Sequence, residues 1–264
     1  MPKYPAYAVP HTELREVPRC ANGGEYMLYI QLPASYAKDT NRKYPIVFIC
    51  DGQYDFALLC GIYTQLLFDK VVPEYILVGL GYQGSHEDYN PMRLRDFLAA
   101  PDREFDPDPS KTGRAAEFLA ALEHELIPFI EREYRADPSC RALAGTSAAG
   151  QFVLYVLLSK PSLFQSYVAM SPPVSKWILS YEQQVFLKGM PLAGRLFLTG
   201  AGADPPAFNE RLVYFADRLR SRHHAGLRYE WRLIEGEGHA GAKIEGYTRG
   251  LRFSFDHQPL PVPI

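Results

Sequence analysis

The stretch "RALAGTSAAGQF", residues 141–152, decides how this chain is read. A short apolar run stops at Gly145, a single serine (Ser147) stands at the turn, and the chain restarts as an alanine-rich helix. A strand–turn–helix junction with the spacing Gly-x-Ser-x-Gly lifts the serine hydroxyl clear of a sheet as a nucleophile elbow. Gly145, Thr146, Ser147 and Ala148 follow that pattern, and Ala149 stands where the second glycine belongs. The opposing reading is an ordinary junction whose serine caps the helix. Serine alone is a poor nucleophile, so the choice turns on whether a base, an orienting acid and oxyanion donors accompany it.

Outward from the elbow, apolar runs alternate with helix-period segments. Strands are expected at 26–32, 44–50, 75–82, 141–145, 166–171, 195–200 and 227–234. Several are almost continuously apolar, as in parallel strands covered on both faces. "LRYEWRLI" (227–234) mixes in charge and reads closer to an edge. In "AAEFLAALEHELIPFIEREY", Leu119, Leu122, Leu126 and Phe129 keep helical spacing, with Pro128 set to kink or divide the helix. A second stripe runs through Phe208, Leu212, Phe215 and Leu219. The alternation predicts an α/β fold with a mostly parallel central sheet and helices on both faces. Residues 83–114, polar and broken by prolines, read as a long surface excursion.

At 264 residues, with 47% hydrophobic and 22% charged, the chain can bury a sizeable core and reads as one domain over 1–264. Extended tails are expected at about 1–12 and 257–264. A net charge of −2 gives no field that would draw nucleic acid or an anionic membrane. The start lacks the apolar core of a signal peptide, and no uncharged run approaches the roughly 18–20 residues of a membrane span. Cys20, Cys50, Cys60 and Cys140 have no metal or redox spacing, so the expectation is a reduced, cytoplasmic protein without a metal. Nothing in the sequence reports the oligomeric state.

The elbow's partners are sought at the carboxyl ends of the strands, where active groups of open α/β sheets gather. His239, in "EGEGHAG", follows the last strand and is the candidate base. Asp204, in "LTGAGADPPAFNE", follows the preceding strand and is the preferred acid. The order Ser147, Asp204, His239 is that of an elbow-type triad. Asp204 followed by Pro205 also reads as a helix cap, and Glu210, Glu235 and Glu237 stay open as alternatives. After "VFIC", Asp51-Gly52 makes a turn that frees the N–H of Gln53, which with the N–H of Ala148 would form an oxyanion hole. Tyr54, Phe56, Tyr63, Tyr82 and Tyr89 adjoin strand ends and hint at an aromatic or extended apolar acyl group.

In the order and spacing of these pieces the chain resembles the putative-esterase family of α/β hydrolases, and its enterochelin-esterase-like branch in particular. The likeness runs from "YMLYIQLPASY" and "NRKYPIVFICDGQ" through "MRLRDF" and the elbow to "EGEGH". It implies the α/β-hydrolase fold and a triad of Ser147, Asp204 and His239. It further implies a substrate-lining aromatic at Trp177 and a small-molecule ester as partner, with no cofactor. Arg93, Arg95 and Asp96 are expected to form an ion pair that anchors the long loop. The family usually reads Gly-His-Ser-x-Gly-Gly at the elbow; Thr146 and Ala149 depart from it. The expected activity is carboxylic-ester hydrolysis through an acyl-enzyme. A siderophore esterase, an acyltransferase, or a hydrolase-fold binding protein impaired by Ala149 are the alternatives.

Overall fold

The computed structural model describes residues 7–84, 89–103 and 105–256. Of the tails expected at about 1–12 and 257–264, residues 1–6 and 257–264 lie outside the described residues. Among the described residues eight strands form one sheet: β1 (Thr12–Glu16), β2 (Tyr26–Gln31), β3 (Tyr44–Ile49), β4 (Ile76–Tyr82), β5 (Ala136–Thr146), β6 (Ser166–Met170), β7 (Ala193–Ala201) and β8 (Gly226–Ile234). Their order across the sheet is β1-β2-β4-β3-β5-β6-β7-β8. β1 and β2 pair antiparallel, as do β2 and β4, and every pairing from β4 to β8 is parallel. This is the mostly parallel sheet that the alternation of strands and helices predicts.

The α-helices described around it are α1 (Gly52–Phe68), α2 (Tyr89–Phe97), α3 (Ala115–Ala121), α4 (Ile127–Glu133), α5 (Ala148–Ser159), α6 (Lys176–Leu187), α7 (Pro206–Ser221) and α8 (Ala242–Phe255). Strand alternation divides the core into two layers. Val47 and Ile49 of β3 face α1 and α8, through residues such as Leu59, Leu66, Tyr247 and Leu251. Ile46 and Phe48 face the other layer, with Phe97, Phe118, Phe152 and Leu212. Residues 46–49 are all fully buried, which is why this strand reads as an unbroken apolar run. α5 is apolar on nearly every side because the sheet, α2, α3 and α6 surround it. Among the described residues no helix is long and apolar enough to cross a membrane.

Three details depart from the sequence reading. β1, "TELRE", is a strand although Leu14 is exposed, because backbone pairing with β2 holds it and no apolar pattern marks it. The excursion 83–114 is no bare loop: it contains α2, whose Leu94 and Phe97 are buried. Arg93 does not join Arg95 and Asp96; it pairs with Asp51, while Arg95 pairs with Asp96. The division at Pro128 takes a definite form. Residues 122–126 form a π turn and α4 restarts with the proline in its first turn, where no N–H is required.

Candidate active site

Ser147 stands between β5 and α5 with φ 59° and ψ −128°, a conformation that costs a non-glycine residue about 1–3 kcal/mol. Two backbone bonds hold it there. Its N–H donates to the Met170 carbonyl at 2.9 Å, and its carbonyl accepts from the Gln151 N–H at 2.9 Å. The side chain does not cap α5, so the capping alternative is not what the hydroxyl does. Ala149 is fully buried, and its methyl lies over Gly145, whose missing side chain leaves the room. The departure from Gly-x-Ser-x-Gly is thus absorbed at the first glycine of the motif.

Asp204 is buried, with only 5% of its side chain exposed, and His239 is 39% exposed. Their contact is bifurcated: His239 Nδ1 lies 2.9 Å from Asp204 Oδ1 and 3.1 Å from Oδ2. A carboxylate only accepts, so Nδ1 is the donor, and in a neutral imidazole that leaves the lone pair on Nε2. The two loops are stitched together by backbone. Gly202 N–H donates to the Ile234 carbonyl and Ala203 N–H to the Glu237 carbonyl. The Phe208 ring meets the imidazole edge-on at 5.9 Å. α7 begins at Pro206 with no side-chain cap, so Asp204 faces His239 instead of closing that helix. Ser147 Oγ makes no hydrogen bond among the described residues, so no bond joins it to His239.

Gln53 and Ala148 both lie in the first turn of a helix, α1 and α5, and neither N–H has an acceptor among the described residues. The turn before Gln53 depends on Asp51, which holds φ 60° and ψ 42°. Asp51 receives a bidentate grip from Arg93, Nε to Oδ1 at 2.8 Å and an Nη to Oδ2 at 2.6 Å. Burial pushes the Asp51 carboxyl up, and Arg93 opposes that shift. Tyr54 is 42% exposed and its ring lies edge-on to Tyr89 at 6.3 Å, bordering the same turn. Trp177, at the start of α6, packs its ring against Tyr181 at 4.8 Å and Tyr155 at 5.8 Å.

Two supports were not read from the sequence. Gln151 is buried in α5 and donates from Nε2 to the Pro173 carbonyl at 2.7 Å, fastening the elbow helix to the loop after β6. Its only sequence signal is a polar residue in an apolar helix. The Arg93–Asp51 pair spans residues far apart in sequence, and no local pattern announces it.

With this geometry in view, a family model described as "Putative esterase" matches residues 21–224, well over half of the chain. The chain belongs to this esterase family. Ferri-bacillibactin esterase BesA of Bacillus subtilis is 27% identical over 94% of this esterase-family chain and 91% of its own. The BES protein from Bacillus cereus superposes with a TM-score of 0.84 at 25% identity, covering 96% of this chain and 98% of its own. Siderophore hydrolase EstB from Aspergillus nidulans shares the fold, with a TM-score of 0.82 at 20% identity over 99% and 100% of the two chains. The esterase-family chain is therefore related to siderophore esterases and has the hydrolase fold they use.

Proposed function

We propose that this chain is a serine carboxylic-ester hydrolase. The observation that carries the reading is the buried Asp204 carboxylate set 2.9 Å from Nδ1 of His239, on the loops after β7 and β8 of the sheet whose β5 ends in the strained Ser147 elbow. Ser147 Oγ attacks the ester carbonyl carbon while Nε2 of His239 takes the hydroxyl proton. Asp204 fixes the tautomer and stabilises the imidazolium. The carbonyl oxygen, now negative, accepts from the N–H groups of Gln53 and Ala148, at the positive ends of α1 and α5. Collapse breaks the bond to the alcohol, which leaves with the proton from Nε2. Water, deprotonated by His239, then attacks the acyl-enzyme and releases the acid. Ser147 Oγ has no hydrogen-bond partner among the described residues, and catalytic hydrogen bonds often close only when substrate is seated.

Both grounds for a non-catalytic binder are weakened: the Ala149 methyl has its own space, and Asp204 is turned to His239. A steady-state assay with short aryl esters tests the reading. Purified protein should turn over, and Ser147→Ala and His239→Ala should each lower kcat by about 10³-fold or more. Wild-type rates in Ser147→Ala would end it.

A siderophore ester is the second reading, supported by the names that BesA and EstB carry. A ferric catecholate is strongly anionic, and two cations on elements that carry the site are held by carboxylates: Arg93 by Asp51 and Lys243 by Asp55. This favours a less charged form of such an ester. A catecholate triester assayed with and without iron should be cleaved faster when iron-free; a marked preference for the ferric form would contradict that.

A further inference from the structure

Beneath the proposed site lies a chain of buried polar groups that the mechanism above does not use. Asp55, in the first turn of α1, is only 2% exposed. It accepts from Lys243 Nζ at 2.7 Å on Oδ1 and from the Tyr247 hydroxyl at 2.6 Å on Oδ2. Tyr247 is completely buried, and its oxygen in turn accepts from Thr146 Oγ1 at 3.3 Å. Lys243 and Tyr247 are one turn apart on α8, so both reach α1 from the same face.

Each link ends on a segment that carries a site group. Asp55 is two residues after Gln53. Thr146 immediately precedes Ser147. Lys243 and Tyr247 belong to the helix that starts just after His239, and that helix approaches β6 closely enough that a side chain at Gly246 would collide with Met170. A buried carboxylate is expensive to desolvate, and an apolar group of the same shape would stabilise the core as well or better. What an apolar group could not supply is direction. Hydrogen bonds fix the relative register of three chain segments to a few tenths of an ångström, where packing alone allows sliding. The N-terminus of α1 also favours the negative charge that all three donors converge on or reach.

We propose that Asp55 is a positioning residue which, through Tyr247 and Lys243, holds the Gln53 turn, the Ser147 elbow and the His239 loop in one register. Thr146 then has a defined task at the position before the nucleophile: its hydroxyl ties the elbow to Tyr247. Burial and the neighbouring Asp55 raise the Tyr247 hydroxyl well above its ordinary value, so it stays protonated and remains the donor to Asp55.

The inference rests on the serine-hydrolase reading, and the test separates the two. Wild type, Tyr247→Phe, Thr146→Val and Thr146→Ser are compared for aryl-ester kcat and KM, for the rate of fluorophosphonate labelling, and for thermal midpoint. Tyr247→Phe removes the link and keeps the ring. A displacement of a few tenths of an ångström predicts about a tenfold fall in kcat and in labelling rate, with KM nearly unchanged. Thr146→Val should lose several-fold, and Thr146→Ser should recover the wild-type rate. Folded Tyr247→Phe with wild-type kcat and labelling rate overturns the inference while leaving the hydrolase reading intact. If Tyr247→Phe does not fold, the Thr146 pair decides, and equal rates for valine and serine overturn it. A wild type that is neither active nor labelled refutes the hydrolase reading itself, and this inference with it.

Discussion

Replacing Gly145 by alanine probes how the elbow tolerates Ala149. A Cβ built on Gly145 lies 2.7 Å from both the carbonyl carbon and the oxygen of Ala149, and 2.9 Å from the Ala149 methyl. Carbon atoms in good contact stay about 3.5–4.0 Å apart, so roughly 0.8 Å must be opened. Two of the three obstructing atoms are backbone in the first turn of α5, and no rotamer change can move them. The start of α5 must lift, carrying the Ala148 N–H and Ser147 with it. Overpacking of this kind costs about 1–3 kcal/mol, read as a lower urea midpoint. A displacement approaching 1 Å costs about a hundredfold in rate, so kcat/KM on an aryl ester should fall by about 30- to 100-fold. Adding Ala149→Gly in that background removes the methyl and leaves the backbone clash, so only a small part of the rate should return. Ala149→Gly alone should cost up to about 1 kcal/mol of stability and leave the rate near wild type. Wild-type kcat/KM in Gly145→Ala, or full recovery in the double variant, would refute the reasoning.

Asp204→Asn keeps the shape but presents an amide to Nδ1, which allows the wrong tautomer; kcat should fall by about 10³- to 10⁴-fold, and an unchanged kcat would remove Asp204 from the mechanism. The native thiols should be largely unreactive toward Ellman's reagent near pH 8. Burial raises the Cys20 and Cys60 thiols to about 12 and the Cys50 thiol well above its ordinary value, and only half-buried Cys140 is within reach. All four should titrate after unfolding, and rapid reaction of two or more in the native state would contradict the packing around them. Burial and the nearby Arg222 lower the His224 imidazole below its ordinary 6.5. The unfolded chain takes up that proton as pH falls through 6.5 and the folded protein resists it, so stability is complete above that pH and declines below it. His224→Gln should therefore lose less stability than wild type between about pH 7.5 and 5.5 in urea titrations; an equal or steeper loss would count against this.

Most of the sheet was legible because its strands are buried on both faces. Ile46–Ile49 and Ile76–Tyr82 carry their burial in their composition. β1 was not legible, since its place is set by main-chain pairing and its side chains are largely solvated. α2 escaped because its buried apolar residues, Leu94 and Phe97, sit in a polar, proline-bearing segment. At the site, Ser147, His239 and Asp204 could be named from their positions after strands, but whether Asp204 met the imidazole or capped α7 depended on a side-chain direction that sequence does not carry. The cluster of Trp177 with Tyr155 and Tyr181 is assembled across α5 and α6, and no local pattern in the sequence announces it. The Asp51–Arg93 and Asp55–Tyr247 links join residues distant in sequence, and only the folded topology brings them together.

The central claim is that Ser147 is an activated nucleophile. Intact-mass analysis after exposure to a fluorophosphonate tests it most directly, on wild type and on Ser147→Ala. The account predicts one covalent adduct on folded wild type and none on the variant. A folded wild type that stays unmodified, or an adduct of equal extent on Ser147→Ala, would contradict it.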